Sequence, residues 1–364
     1  MKISNRFLYY QLVKDLSSTT EKLFNLNGQI SSGKRINRPS DDPMGLSSVL
    51  LYRTELNAFD QFKKSIDHAQ GWLSRMDTIL IDVDDLLSRA SELAVGESSS
   101  TATAATRQGA ADELMQIRSM ILSHANSKYG GKYLFGGTMT QASPFLWVPA
   151  ENMLADVQEV SATPPASPGD GYRYLNSTDN LIYEYHEATS SWIDQGEPAE
   201  GDSVWVESLG DLSVFSQGVW KSLYQGNSSI TSIQIGRGDS IELNIPGNEI
   251  FSSEQGNTFM TLLRLEKALR NNDQEGIRNQ LSGIEDSSKV LMNKLARIGS
   301  TVNRLEHTTS VIAQAHVDTT QRVSLIEDLD YAKAITSLQN QQTIYEAQLK
   351  SAAMITRMSL VDYV

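Results

Sequence analysis

Two segments near opposite ends of the chain carry apolar residues at alternating steps of three and four, and this spacing limits the possible folds more than any other feature. A mean step of 3.5 residues keeps one stripe turned toward a partner helix, as in coiled coils. The spacing predicts two long helices that pack as a rod built from both the N-terminal and the C-terminal part of the chain. The first stripe is Phe59, Phe62, Ile66, Ala69, Leu73, Met76, Leu80, Val83, Leu87, Ala90 and Ala94, and the second is Ile277, Leu281, Ile284, Ser288, Leu291, Leu295, Ile298, Val302, Leu305, Thr309 and Ile312.

Two further stripes with the same spacing lie at the extreme termini. Neither helix can bury its apolar side alone, and short isolated helices are only marginally stable in water. We therefore expect the first helix to pair with the last, and both to order fully only when subunits assemble, although the periodicity also fits ordinary bundle helices. The candidate subunit-assembly residues are Leu12, Leu16, Leu23, Leu26 and Ile30 in the first helix and Ile335, Leu338, Tyr345 and Leu349 in the last.

The composition excludes several classes of protein. The 364 residues include no cysteine, so disulfide bonds, thiolate metal sites and a cysteine nucleophile are impossible. The first residues lack the continuous apolar core of a secretory signal peptide, and no apolar run is long enough to cross a bilayer. We expect a soluble protein without a membrane partner, either cytoplasmic or exported without a cleaved signal.

The net charge of −13 is concentrated in the centre of the chain. Residues 141–255 hold 17 acidic and 3 basic residues, a net charge of −14, so the remainder is close to neutral. The same segment holds four of the five tryptophans and seven of the nine prolines, which marks a separate domain. An acidic surface of this kind repels nucleic acid, and we expect no nucleic-acid partner.

The central segment also changes its pattern from helical to strand-like. Leu181–Tyr185 and Val204–Val206 are rich in β-branched and aromatic residues, and Ile233–Ile245 reads as alternation, a glycine-rich turn and alternation again. We therefore predict a mainly α fold with an inserted β-rich domain, residues 141–255. The hairpin turn contains Arg237-Gly238-Asp239, an adhesion tripeptide by its letters, but such residues are more often ordinary turn residues.

No enzymatic or cofactor motif is found. His186-Glu187 lacks the second histidine of a His-Glu-x-x-His zinc site, and there is no glycine-rich phosphate loop followed by lysine. The acidic pair Asp41-Asp42 could suggest acid–base chemistry. Because Pro43 follows, the pair fits better as a helix cap. We predict no catalytic residues, no cofactor and no metal.

Three spaced sequences resemble the bacterial flagellin family. In Gln29–Leu46, Gly33 can end the first helix in a left-handed turn. Arg35, its basic neighbours and the prolines would form a stiff extended connection, and Asp41, Asp42 and Pro43 would start the next helix. Ser324–Ala332 resembles the family's return sequence, and Ile298–Glu306 resembles the helix before it.

The resemblance implies an architecture and a location. Residues 1–36 and 324–364 would be paired helices lining an inner tube, residues 37–140 and 256–323 would form the surrounding helical rod, and residues 141–255 would face outward. Members of the family are exported unfolded through the flagellar type III channel and assemble outside the cell as part of the flagellum.

Within the family, Asn126–Thr138 and the following Pro144-Phe145 are similar to subunits at the junction between hook and filament. The partners implied are further copies of the chain, hook-associated protein type 1, flagellin, and a cytoplasmic export chaperone that covers the C-terminal helix. Two alternatives stay open at this point. One is a flagellin that builds the filament itself, and the other is a secreted coiled-coil adhesin.

Overall fold

The computed structural model describes residues 2–166, 168–253 and 255–361, with side chains between residues 7 and 354 of these ranges. The chain forms two compact units, residues 1–63 with 309–364 and residues 64–308. The helices are α1 (Lys2–Ser32), α2 (Pro43–Glu97), α3 (Ala104–Ala125), α4 (Asn248–Phe251), α5 (Thr258–Arg270), α6 (Gln274–Glu327) and α7 (Tyr331–Val361). Helices α2 and α6 have 55 and 54 residues, which confirms the two long helices predicted from the spacing.

In the first unit, α1 and α7 pack against each other. The predicted positions of α1 lie on one half-buried face, with Thr19 buried among them. The hydroxyl of Thr19 donates to the backbone oxygen of Asp15 at 2.9 Å, so this polar group is satisfied inside its own helix. A threonine can therefore occupy a buried stripe position at little cost.

In the second unit, the predicted stripe of α2 is buried from Ile66 to Ala94. The stripe of α6 alternates between fully and partly buried positions, and its buried members include Ile284, Leu291 and Ile298. The polar exception Ser288 donates its hydroxyl to Asp84 at 2.8 Å, so it keeps a hydrogen-bond partner where the stripe is interrupted.

The strands belong to the second unit and are short. Their bounds are β1 (Lys128–Tyr129), β2 (Lys132–Tyr133), β3 (Glu159–Ser161), β4 (Arg173–Asn176), β5 (Ile182–His186), β6 (Ser191–Asp194), β7 (Ser203–Val206), β8 (Asp211–Ser216), β9 (Val219–Ser222), β10 (Ser232–Gly236), β11 (Asp239–Glu242), β12 (Ser252–Ser253) and β13 (Gly256–Asn257). The predicted strands at 181–185 and 204–206 correspond to β5 and β7, and the predicted hairpin corresponds to β10 and β11. The mainly α fold with a β-rich central region is thus confirmed.

Two small sheets form the body of the β-rich region. One has the order β3-β4-β5-β6, in which β3 and β4 are parallel and the other pairs antiparallel, and the second has the antiparallel order β7-β8-β9. Their shared core contains Leu175 and Ile182 from the first sheet, Val204 and Val206 from the second, and Val157. Alternation along each strand therefore leaves one face of the four-stranded sheet outside this core.

The hairpin β10–β11 carries the adhesion-like tripeptide. Gly238 has φ +75°, the left-handed conformation that a tight turn demands and glycine adopts most easily. The carboxylate of Asp239 forms an ion pair with Arg304 of α6, and Glu242 forms another with Arg297. The carboxylate of the tripeptide is thus already paired with a cation of the same chain.

A buried ion pair joins α3 to α5 in the second unit. The guanidinium of Arg118 lies 3.0 Å from Glu266, and both side chains are at most 3 % exposed. Arg118 also donates to the backbone oxygen of Val148 and lies over the ring of Trp147, while Arg270 reaches the second carboxylate oxygen of Glu266. Desolvation lowers the pKa of Arg118 against the attraction of Glu266. These contacts satisfy the buried charges that would otherwise be very costly.

Candidate functional site

The two connections between the terminal helices and the long helices lie side by side in the first unit. The outgoing connector, residues 33–42, joins α1 to α2, and the return connector, residues 328–330, joins α6 to α7. Lys34 and Asp328 form an antiparallel bridge, the N–H of Arg35 donates to the oxygen of Glu327 at 2.7 Å, and the N–H of Leu329 donates to that of Gly33 at 3.0 Å. Backbone hydrogen bonds thus hold the two connectors together.

Gly33 ends α1 as predicted. Its φ of +70° is in the left-handed region, where a side chain is strained. A Cβ at this position would also lie 2.8 Å from the hydroxyl oxygen of Tyr331, the first residue of α7. The left-handed φ therefore favours glycine here, and a larger residue would also have to displace the Tyr331 hydroxyl.

Glu327 is the electrostatic centre of the site. Its carboxylate, 10 % exposed, accepts from the Lys34 ammonium at 2.7 Å and from Arg53 at 2.7 and 2.8 Å. Burial by itself would raise the pKa of Glu327, but the hydrogen bonds and charges of Lys34 and Arg53 outweigh it and hold the pKa below its ordinary value. We call Glu327, Lys34 and Arg53 the charge clasp.

Arg35 extends the same contacts along the return connector. Its guanidinium donates to the backbone oxygen of Ile326 at 2.8 and 3.2 Å and lies 3.3 Å from Asp42. Because the carbonyl groups in the last turn of a helix have no partner within the helix, the guanidinium satisfies one of them at the end of α6.

The acidic pair shapes the start of α2. Asp42 Oδ1 accepts from the N–H of Gly45 at 2.8 Å and caps the helix, whose first residue is Pro43, as predicted. Asp41 accepts from the N–H groups of Asn37 and Arg38 at 3.0 and 2.8 Å. The expectation of an extended connection is wrong for residues 38–41, because these hydrogen bonds and the turn bond from Asp41 N–H to the Arg38 oxygen fold the segment back.

The prediction for the last helix needs a correction. Leu338 and Tyr345 lie on the half-buried face of α7, but Ile335 and Leu349 are 46 % and 43 % exposed. Their places are taken by neighbouring residues, the buried Ala334 and the half-buried Gln348. Two stripes that differ by one residue, one with Ala334 and Gln348 and one with Ile335 and Leu349, fit a mean spacing of 3.5 residues equally well. The small side chain of Ala334 allows closer helix packing than that of Ile335. The role of the nine candidate residues in subunit assembly remains a prediction.

Comparison with known proteins identifies the family. Residues 3–140 match the family model described as the bacterial flagellin N-terminal helical region, and residues 271–364 match that of the C-terminal helical region. The chain belongs to the bacterial flagellin family. The two matched regions contain both connectors and all members of the charge clasp.

Relatives of this flagellin-family chain include flagellar hook-associated protein 3 of Salmonella typhimurium, 30 % identical over 40 % of the chain and 46 % of that protein. The alignment with Salmonella therefore spans less than half of the relative. The protein of the same name from Escherichia coli is 22 % identical over 99 % of the chain and 98 % of the relative. Polar flagellin F of Vibrio parahaemolyticus is 18 % identical over 92 % of the chain and 90 % of that protein.

Among solved structures, a flagellar hook-associated protein from Vibrio parahaemolyticus has a TM-score of 0.54 at 18 % identity, covering 79 % of this chain and 99 % of that one. This similarity confirms the flagellin-type fold. The family consists of structural proteins of the flagellum, and enzyme families are not among these matches.

Sequence reasoning missed three residues of this site as contact partners, namely Lys34, Arg53 and Glu327. Glu327 stands within the return sequence, but its cationic partners are 293 and 274 positions away, and nothing in the pattern connects them. Within residues 2–166, 168–253 and 255–361, no three acidic or histidine side chains are placed to hold a metal ion. No helix of the same ranges has the length and apolar character needed to span a membrane.

Proposed function

We propose that this chain is a self-assembling subunit of the junction between the flagellar hook and filament. The observation that carries the proposal is the alignment with hook-associated protein 3 of Escherichia coli over nearly the whole of both chains. Because the fold shared with the hook-associated protein from Vibrio includes almost all of that chain, the similarity is not limited to the terminal helices.

The second candidate is a flagellin that builds the filament itself. Polar flagellin F also aligns over most of this chain, so the family alone does not decide between the two. Flagellin E of Vibrio cholerae is 22 % identical over 94 % of the chain, the same identity as hook-associated protein 3 of Escherichia coli, so overall identity does not decide either. The 30 % identity to hook-associated protein 3 of Salmonella over 40 % of the chain and the junction-like sequence Tyr133-Leu134-Phe135-Gly136-Gly137-Thr138 favour the junction.

Exposed apolar side chains on the terminal helices support assembly with other subunits. Large apolar residues that are half or more exposed are common on α1, including Phe7 at 70 % and Phe24 at 68 %. On α7, Ile335, Ile344 and Leu349 are 43–46 % exposed. Apolar surface of this extent usually marks an interface. We infer that the half-buried face of α1, with Leu12 and Leu16, holds the helix to α7, whereas the exposed residues contact neighbouring subunits in a ring.

The domain roles follow from the same proposal. Residues 1–36 and 324–364 form the inner tube, residues 37–140 and 256–323 form the wall around it, and residues 141–255 form an acidic outer domain. The connectors then hold the tube helices to the adjoining ends of α2 and α6, and a subunit in a ring must repeat these contacts in every copy.

The other partners that we propose are the proteins on either side of the junction and a chaperone that acts before export. Hook-associated protein type 1 would lie on the hook side and flagellin on the filament side. Export through the flagellar type III channel would precede assembly outside the cell, and a cytoplasmic chaperone would cover the C-terminal helix until then. The exposed apolar residues of α7 give such a chaperone a surface to bind.

Deletion of the gene tests the proposal. We expect electron micrographs to show hooks without filaments and expect flagellin to accumulate in the medium, because the filament would have no base on which to polymerise. Filaments of normal length in the deletion strain, without a second gene copy, would contradict the junction role. A flagellin would instead be the bulk component of sheared filaments, which quantitative mass spectrometry distinguishes.

A further inference from the structure

Aromatic side chains cover the outer face of the four-stranded sheet. In the strand register Tyr174 lies opposite Tyr183, and Tyr185 lies opposite Trp192, so these four residues share one face. Leu175 and Ile182 alternate with them and enter the core between the two sheets. The aromatic residues therefore lie on the side away from that core.

The rings form a connected cluster around Trp192. Its ring centre lies 4.8 Å from that of Tyr174, 5.3 Å from Tyr185 and 6.3 Å from Tyr172, with interplanar angles of 79°, 60° and 80°. Tyr174 is 2 % exposed and forms the floor, and the other rings, with Tyr183, are only partly buried. Tyr183 stacks on Tyr174 at 5.4 Å and 19°, whereas the ring of Trp192 is steeply inclined to its three neighbours, so the surface offers slots between ring edges and faces around Trp192.

Carboxylates lie beside these rings. Glu159 of β3 is the register partner of Tyr174, and Asp194 of β6 is that of Tyr183. Asp179 accepts a hydrogen bond from the hydroxyl of Tyr183 at 2.9 Å. The three acidic side chains give this face negative charge at both of its edges.

Cations are missing from the same face. Arg173 is the sole lysine or arginine between residues 133 and 220. It alternates with Tyr174, so it lies on the opposite face, where its guanidinium pairs with Glu184 at 2.6 Å. Nothing within the described part of β3–β6 therefore neutralises the acidic rim of the aromatic face.

We propose that this aromatic face, formed by Tyr172, Tyr183, Tyr185 and Trp192 over Tyr174, binds lysine- or arginine-bearing segments of other polypeptides. Ammonium and guanidinium groups are attracted to the faces of tryptophan and tyrosine rings, and neighbouring carboxylates strengthen that attraction. The surplus negative charge of residues 141–255 draws a cationic partner toward the domain. The inclined rings around Trp192 suit an inserted long side chain better than the flat ring of a sugar.

The test is titration of the purified full-length chain with a nona-arginine peptide, followed by calorimetry at physiological ionic strength. We expect Trp192→Ala and Asp194→Asn each to weaken binding about five-fold or more, because each removes one part of the binding surface. Asparagine keeps the acceptor that Asp194 presents to the N–H of Gly196, so the turn after β6 should be retained. Glu151→Gln changes the net charge by the same amount outside this sheet and should leave the affinity unchanged.

Tyr185→Phe guards against a folding artefact, because it keeps the ring and should bind as the unmodified chain does, with an unchanged far-ultraviolet circular dichroism spectrum. Equal weakening by Asp194→Asn and Glu151→Gln would overturn the proposal and show diffuse charge attraction. Undiminished binding by Trp192→Ala, or no binding of the peptide at all, would also overturn it. Binding of an N-acetylglucosamine oligomer that depends on Trp192, in the absence of peptide binding, would assign the face to a carbohydrate instead.

Discussion

Replacing Glu327 by glutamine should loosen the connectors between the terminal and the long helices. The carboxylate is 10 % exposed, whereas its partners Lys34 and Arg53 are 42 % and 47 % exposed and can turn to water when the charge is lost. Breaking a fully buried ion pair costs about 3–5 kcal/mol, and an exposed pair contributes about 0.2–1 kcal/mol. The exposure of the clasp lies between these two cases, so we expect Glu327→Gln to lower the free energy of unfolding of this site by about 1–3 kcal/mol.

The clasp should also depend on pH. Because the folded-state pKa of Glu327 lies below its ordinary value, its contribution is complete above the unfolded-state pKa, about 4.3 for a glutamate. The contribution is lost as the pH falls through the lower, folded-state pKa. Acidification below about pH 4 should therefore weaken the native connectors, and the glutamine variant should lack this part of the acid response.

Hydrogen exchange provides a local assay. The N–H groups of Arg35 and Leu329 bridge the two connectors, so their protection reports the opening of this site directly. We expect Glu327→Gln to lower the protection of both amides, and Glu21→Gln, on the exposed surface of α1, to leave it unchanged. If both variants keep native protection at neutral pH and the same acid profile, the clasp does not hold the connectors and the reasoning is refuted.

Three further predictions concern the packing of the chain and its assembly. Gly33→Ala should lower the free energy of unfolding, measured by denaturant titration, by about 1–2 kcal/mol because of the left-handed φ, and the clash with the Tyr331 hydroxyl should lower it further. Arg118→Met should cost about 3–5 kcal/mol because it leaves Glu266 buried with only the more exposed Arg270 as a cationic partner, and a variant that also carries Glu266→Gln should recover part of that loss. Leu349→Asp should leave the monomer as stable as the unmodified chain, since this side chain is 43 % exposed, but should abolish filaments in a complemented deletion strain. Motile cells that carry this last variant at normal levels would contradict the assembly role of α7.

The two long helices and the β-rich region follow from local pattern, because a 3.5-residue spacing over many turns and strand alternation around glycine-rich turns each favour one secondary structure. Gly33 and Asp42 were also predictable, since left-handed helix ends and helix caps require particular residue types within a few positions. The extended form expected for residues 38–41 was wrong because hydrogen bonds from Asn37 and Arg38 to Asp41, which spacing alone does not predict, decide the turn.

The sequence by itself thus determined the two long helices, the terminal helices, the strands at 181–185 and 204–206, the hairpin, and the resemblance to the flagellin family. It did not predict α3, α5 or the remaining strands. Only the tertiary structure decided which side of α7 is buried, because Ile335 and Ala334 satisfy the same periodicity and packing against another helix selects between them. It also brought Glu327 to Lys34 and Arg53, and assembled the aromatic face from three strands. The contacts of Glu327 join residues far apart in the chain, and the energies of both sets of contacts depend on distance and burial, which no local pattern encodes.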